Sequence, residues 1–298
     1  MQLRLEDIVN SHISEPCLVL GNSPNMMNFN FNKFKGIIIT LSDAIIRGRN
    51  KFKANYWVSS NNEFPMPEID FHLDIINSNN QTKFFFADSV AYQNIWTKDQ
   101  NYLNQNLNVD WLCFDERHHN YRKCSPSKNC CNLLSEKNRE STIQDKIQKK
   151  FGYNYKFEKS GTVAEFGLMF ALLFGCNPIY LQGIEIPLKQ SDYTRYEDEF
   201  SEKILIEKTN KIISKKFREY YLSQNPVKPY FLSLINKIKR LKNKNTTVFF
   251  DEIDNILSNF NTLGKISENN CIDLYNLSEI SNLRKVDTIK YKNYEEIL

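Results

Sequence analysis

This 298-residue chain has no apolar run long enough to cross a membrane. Its most apolar stretch, Phe166 to Gly175, falls far short of the roughly 20 residues a span needs. Residues 1–17, MQLRLEDIVNSHISEPC, carry acids among their apolar positions and no continuous apolar core, so they do not read as a secretory leader. The expectation is a soluble, cytoplasmic protein. Several motifs are missing as well. There is no GxxxxGK[ST] phosphate loop and no GxGxxG dinucleotide fingerprint. Nor is there a GxSxG elbow or an HExxH zinc helix, which leaves hydrolase readings without support. Histidine is confined to His12, His72, His118 and His119. No basic stripe interleaved with aromatics appears, so nucleic acid is not an expected partner. No internal repeat is found.

What is present is ordinary for a globular chain. Hydrophobic residues make up 41% and charged residues 25%, enough for a sizeable core. The 39 basic and 35 acidic residues are intermixed, for a net charge of +4. Pairs such as Lys149-Lys150 and Lys215-Lys216 read as solvated helix faces. Seven cysteines, an odd number in a long chain without an export signal, argue against disulfides.

Several apolar, β-rich runs end in small polar residues: CLVLG (17–21), GIIITL (36–41), ANYWV (54–58), KFFFA (83–87) and PIYLQG (178–183). Uninterrupted runs of this kind suit strands covered on both faces. CIDLYNL (271–277) is a further strand candidate. VAEFGLMFALLF, 163–174, is apolar nearly all round and predicts a buried helix, with Thr162 as N-cap and Gly175 closing its end. A strand following within a few residues is typical of α/β folds. The fold class is therefore α/β: a Rossmann-like, mostly parallel sheet flanked by helices, with a smaller helical or lid subregion. Residues 1–190 and 245–298 read as the sheet-bearing domain, with an irregular insertion at about 103–157. Residues 191–244 read as the lid-like part.

The run LGNSPNMM stops a strand at a turn. If Ser23 caps a helix and Pro24 opens it, the free N–H groups favour an anion. Gly21 would let a ligand approach the backbone. Ser42, Ser60, Asn61 and Glu185 also follow strands, where open parallel sheets bind ligands. An ordinary turn is the other reading of the same residues.

LVLGNSPNM, SGTVAEFGLMFALLFGCNPIYLQGIEI and YNLSEISNL resemble the bacterial sialyltransferases of glycosyltransferase family 42 and the related motility-accessory-factor glycosyltransferases. The resemblance implies a Rossmann-like nucleotide-sugar fold of the type called GT-A-like. It also implies a CMP-activated nonulosonic acid as donor, a surface-glycan acceptor and no metal cofactor. By the same resemblance, donor contacts fall on Gly21 and Asn22, on Ser160 and Gly161 beside Thr162, on Tyr193, and on Ser42 with Ser60 or Asn61. The family's first phosphate-binding tyrosine falls on Pro187, which cannot make that contact. No histidine lies between 193 and 225, where the family carries its base. Homo-oligomers are common in the family; contact with a membrane surface stays open.

The candidate catalytic groups are then Glu185, as base or as acceptor of a ribose hydroxyl, and His119, if the 103–157 region folds over the site. A cap or salt bridge is the alternative for Glu185, and a solvated loop for His118 and His119. Arg195 and Tyr196 beside Tyr193, and Lys159 beside Ser160, are suited to a phosphate. Cys113, Cys124, Cys130 and Cys131 with His118 and His119 offer zinc-type ligands, though the spacing fits no standard CxxC pair. Two rival functions are a Mg²⁺-dependent pyrophosphokinase-like enzyme, with Asp43, Asp88 and Glu185 near the metal, and a nucleotide-binding module without catalysis.

Overall fold

The computed structural model describes residues 3–21, 23, 25–26, 29–41, 44–45, 51–59, 81–87, 109–114, 142–152, 157–158, 162–186 and 250–297. Among the described residues, eight strands form one sheet: β1 (Cys17–Leu20), β2 (Ile37–Leu41), β3 (Tyr56–Ser59), β4 (Lys83–Ala87), β5 (Trp111–Phe114), β6 (Ile179–Gln182), β7 (Leu274–Asn276) and β8 (Lys290–Tyr291). Their order is β5-β4-β3-β2-β1-β6-β7-β8, and every neighbouring pair is parallel. The expected α/β class holds, with a sheet that is parallel throughout. KFFFA is found with the predicted ends, and the other predicted strand runs with ends trimmed or moved by one to three residues. Region 103–157, read from sequence as irregular, contains β5 and the helix α2 (Ile143–Phe151) among its described residues. The short α1 (Leu5–Ile8), α3 (Val163–Phe174) and α4 (Phe250–Asn269) are the other α-helices whose bounds are described, with short 3-10 helices at Asn282–Lys285 and Tyr294–Ile297. Residues 187–249, which include the proposed lid, lie outside the described residues. No described helix is long and apolar enough to cross a membrane.

The helix α3 shows how sequence becomes packing. Thr162 accepts from the Ala164 N–H at 3.3 Å, and Gly175 closes the helix at φ 83°, both as expected. Residues 164–174 are all buried. Phe166, Phe170 and Phe174 recur every four residues and so share one stripe. Rings from three neighbouring strands meet that stripe: Phe114 at 5.3 Å from Phe166, Phe85 at 4.9 Å from Phe170 and Tyr56 at 4.5 Å from Phe174. Each such ring removes apolar surface worth about 1.5–3 kcal/mol. Gly167 lets the helix lie close, since a Cβ there would sit 2.6 Å from a Leu41 methyl. The other sheet face has Leu18, Leu20, Ile38 and Tyr180 under Met26, Phe29 and Phe31, a cover made by the β1–β2 connection.

The carboxyl end of α3 is closed by the chain. Its last carbonyls accept from the N–H groups of Asn10 (2.8 Å) and His12 (2.9 Å), and Gly175 O accepts from Ser14 (2.9 Å). Lys150 donates to Leu172 O at 2.7 Å and Leu173 O at 2.9 Å. The expectation of a solvated lysine pair is thus wrong for Lys150. It is half-buried, because a cation at a helix C-terminus meets the negative end of the dipole. Beside it, the buried Tyr56 hydroxyl lies 2.6 Å from Nε2 of His12.

Burial pushes the Tyr56 phenol up from 10.0 to about 12. The native state therefore keeps its proton where the unfolded chain loses it. This contribution is complete below pH 10 and is lost as pH rises through 12. A two-unit difference corresponds to about 2–3 kcal/mol. Urea denaturation from pH 9 to 12 should show wild type losing that much more stability than Tyr56→Phe. Parallel curves for the two proteins would contradict the assignment.

Candidate functional site

Strand order reverses between β1 and β6. In open parallel sheets the crevice at such a point, outside the carboxyl ends of the strands, is where ligands bind. Here the pairing continues beyond the strands. Gly21 N–H donates to Gln182 O at 2.8 Å and Ser23 N–H to Gly183 O at 3.0 Å. Gly183 sits at φ +66°. A Cβ on Gly21 would lie 2.3 Å from the Gly183 oxygen, and one on Gly183 would lie 2.9 Å from the Gly21 oxygen. Glycine at 21 is thus required by the loop after β6: what comes close to its backbone is the chain itself.

On this seam the side chains converge on one carboxylate. Oε1 of Glu185 accepts from Ser23 Oγ at 2.6 Å, Asn25 Nδ2 at 2.5 Å and Ser278 Oγ at 3.2 Å. These donors come from the loops after β1 and β7, and Glu185 from the loop after β6. Gln182 Nε2 also donates to Asn25 O at 2.5 Å, which ties the turn to β6 a second time. Ser281 Oγ donates to Ile184 O at 2.7 Å, and Asn282 Nδ2 donates to Ile186 O. The stretch 184–186 is therefore gripped from the β7 side as well. Ser23 and Ser278 are buried, and Glu185 is half-buried.

The geometry corrects one expectation. The N–H groups described in this turn are not free for an anion. Those of Gly21 and Ser23 serve the seam, that of Asn25 donates to Ser23 Oγ at 3.3 Å, and that of Met26 to Ser23 O at 3.0 Å. Asn25 and Met26 form a tight turn rather than the start of an α-helix, so Ser23 caps no long helix among the described residues. A carboxylate of the chain occupies the corner, and a phosphate placed against it would meet like charge.

Of the other candidates, Thr162 caps α3. That 12-residue helix spans roughly 18 Å and runs back to the amino end of β6, so Thr162 lies at the carboxyl end of the sheet. The first turn of α3 is lashed to α4: Asn259 donates to Glu165 Oε2 at 3.0 Å and to Glu158 O at 2.9 Å, and accepts from Glu158 N–H at 2.7 Å. Asn22, Pro24, Ser42, Asp43, Ser60 and Asn61 lie outside the described residues. So do Asp88, His118, His119, Lys159, Ser160 and Gly161, and Pro187, Tyr193, Arg195 and Tyr196. Of the zinc-type candidates, only Cys113 is described. It is buried in β5, and among the described residues no three metal-ligating side chains form a group. Sequence reasoning missed Asn25, Ser278 and Gln182 as parts of the site. All three stand inside the quoted runs, but nothing in those runs tells which side chains face Glu185.

The seam generates a prediction. Gly21→Ala pushes a methyl into a backbone carbonyl, so it should cost about 1–3 kcal/mol in chemical denaturation, with no ligand present. A loss under about 0.5 kcal/mol would show that the loops do not meet at this distance.

No protein-family model matches the chain, and no curated protein matches it in sequence. Among solved structures it is similar to the sialyltransferase CstII from Campylobacter jejuni, in complex with the substrate analogue CMP-3FNeuAc. Identity there is 12% and the TM-score 0.45, over 94% of this chain and 87% of that one. It is also similar to the monofunctional α-2,3-sialyltransferase Cst-I from Campylobacter jejuni, at 13% identity and a TM-score of 0.39, over 93% and 80%. A third is the MAf glycosyltransferase from Magnetospirillum magneticum AMB-1, at 12% identity and a TM-score of 0.36. This chain has 62% of its length covered there and spans 26% of that protein.

Proposed function

We propose that this protein is a nucleotide-sugar-dependent, sialyltransferase-like glycosyltransferase. In this reading it moves a nonulosonic acid from a CMP-activated donor to a surface-glycan acceptor. The observation that carries the reading is the meeting of the loops after β1, β6 and β7 on Glu185, at the reversal point of a parallel sheet. The three sequence patches that resemble the sialyltransferases and their relatives contain those loops and the start of α3. A reversal point of this kind, where polar side chains from several loops meet, suits a nucleotide.

In the transfer, the bond from the sugar's anomeric carbon to the phosphate oxygen breaks. The acceptor oxygen bonds to that carbon and gives up its proton, and CMP leaves with the bonding pair. The protein must stabilise the leaving phosphate and take the proton. Glu185 supplies a hydrogen-bond acceptor at the corner, for a hydroxyl of donor or acceptor. The roles of Ser160, Gly161, Tyr193, Ser42, Ser60, Asn61 and Asn22 toward the donor, and of His119 as base, rest on the sequence. Residues 191–244 serve as the lid, and no metal is required.

Thermal denaturation with CMP, CDP, UDP, GDP and ATP, each with and without Mg²⁺, tests the reading. CMP without metal should raise Tm by several degrees. A ligand at 100 times its Kd adds about 2.7 kcal/mol. Stabilisation by ATP only with Mg²⁺ would contradict the proposal and favour a pyrophosphokinase-like site. No shift with any nucleotide would also contradict it. CMP binding without transfer to any glycan would leave a binding module.

A further inference from the structure

The donors around Glu185 are spent unequally. Ser23, Asn25 and Ser278 all donate to Oε1, while Oε2 makes no hydrogen bond among the described residues. Glu185 is half-buried. A carboxylate held through one oxygen by donors from two other loops cannot turn about its last bond without breaking them. Its other oxygen then presents its lone pairs in one direction. Such an oxygen accepts a hydrogen from a hydroxyl or an amine and repels a phosphate.

We propose that Asn25 and Ser278 are positioning residues for Glu185, and that they fix Oε2 as the atom that receives a hydrogen-bond donor of the nucleotide ligand rather than its phosphate. This rests on the nucleotide-sugar reading and adds to it which part of the ligand faces this corner. Ser278 stands out because it lies 93 residues beyond Glu185, after β7, and brings the C-terminal part of the sheet into the site. A loop tie with no role toward a ligand is the competing account. It predicts a loss of stability and nothing else.

The experiment measures the dissociation constant of CMP, and separately that of inorganic phosphate, by titration calorimetry. The proteins are wild type, Asn25→Ala, Ser278→Ala, Ser278→Thr, Glu185→Ala and the doubles with Glu185→Ala, each with its Tm. Ser278→Ala and Asn25→Ala should each weaken CMP about 10–150-fold, the size expected for one hydrogen bond to a charged group. Ser278→Thr keeps the hydroxyl and should return to within about threefold of wild type. In the Glu185→Ala background neither alanine should cost further affinity, since both act through the carboxylate. Glu185→Ala should weaken CMP but leave phosphate unchanged or tighter. The inference is overturned if the Ser278→Ala loss persists without Glu185. It is also overturned if Tm falls while the CMP constant stays the same. Should Glu185→Ala not fold, an equal CMP loss in Ser278→Thr and Ser278→Ala overturns it alone. Absence of CMP binding by wild type, seen before any variant is made, would sink the nucleotide-sugar reading and this inference with it.

Discussion

The site depends on the contact of two backbones. Where β1 lies beside β6, parallel pairing does not end with the strands but runs on for two more hydrogen bonds, through Gly21 and Ser23. It can do so because both chains carry glycine at the first residue after the strand. Each backbone hydrogen bond contributes only about 0.5–1.5 kcal/mol net. Their larger effect is geometric. They bring the loop after β1 against the loop after β6, and only then can Ser23 and Asn25 reach Glu185. The β7 loop joins through Ser278, Ser281 and Asn282. On one face of the sheet, the aromatic stripe of α3 packs on rings from β3, β4 and β5, and the residues just before β1 close its C-terminus.

The electrostatics of the corner follow from that contact. A turn expected to hold an anion faces instead the carboxylate of Glu185, with the N–H groups described in the turn used internally. Negative charge is thus built into the reversal point of a protein whose net charge is +4. In a ligand that carries both hydroxyls and a phosphate, the two ends are sorted by this charge. Hydroxyls are favoured at Glu185, and the phosphate is favoured away from it.

Much of the sheet was legible because short uninterrupted apolar runs suit strands buried on both faces. KFFFA was read to its exact ends, Lys83–Ala87, and CLVL to within one residue. WLCF at 111–114 was missed because four apolar residues inside a polar region look like noise; only its pairing with β4 makes it a strand. β8 has two residues, and its Lys and Tyr are exposed, so no periodicity could show it. α2 carried a readable signal in Thr142-Ile-Gln-Asp145, whose side chains cap each other's backbone at 3.1 and 2.7 Å. In the site, Gly21, Ser23 and Glu185 were found because they follow strands. Asn25 and Ser278 could not be found that way, since their part depends on side-chain direction across three loops. Lys150 looked like one more surface lysine until the end of α3 was seen beneath it.

The most direct test is a crystal structure of the protein with CMP. The nucleotide should lie across the carboxyl ends of β1 and β6, with a hydrogen-bond donor of the nucleoside within about 3.2 Å of Glu185 Oε2. Its phosphate should point away from that carboxylate, and Ser23, Asn25 and Ser278 should still be on Oε1. Nucleotide bound on another face, or a phosphate seated directly on the Ser23–Asn25 turn with Glu185 swung out, would contradict the account.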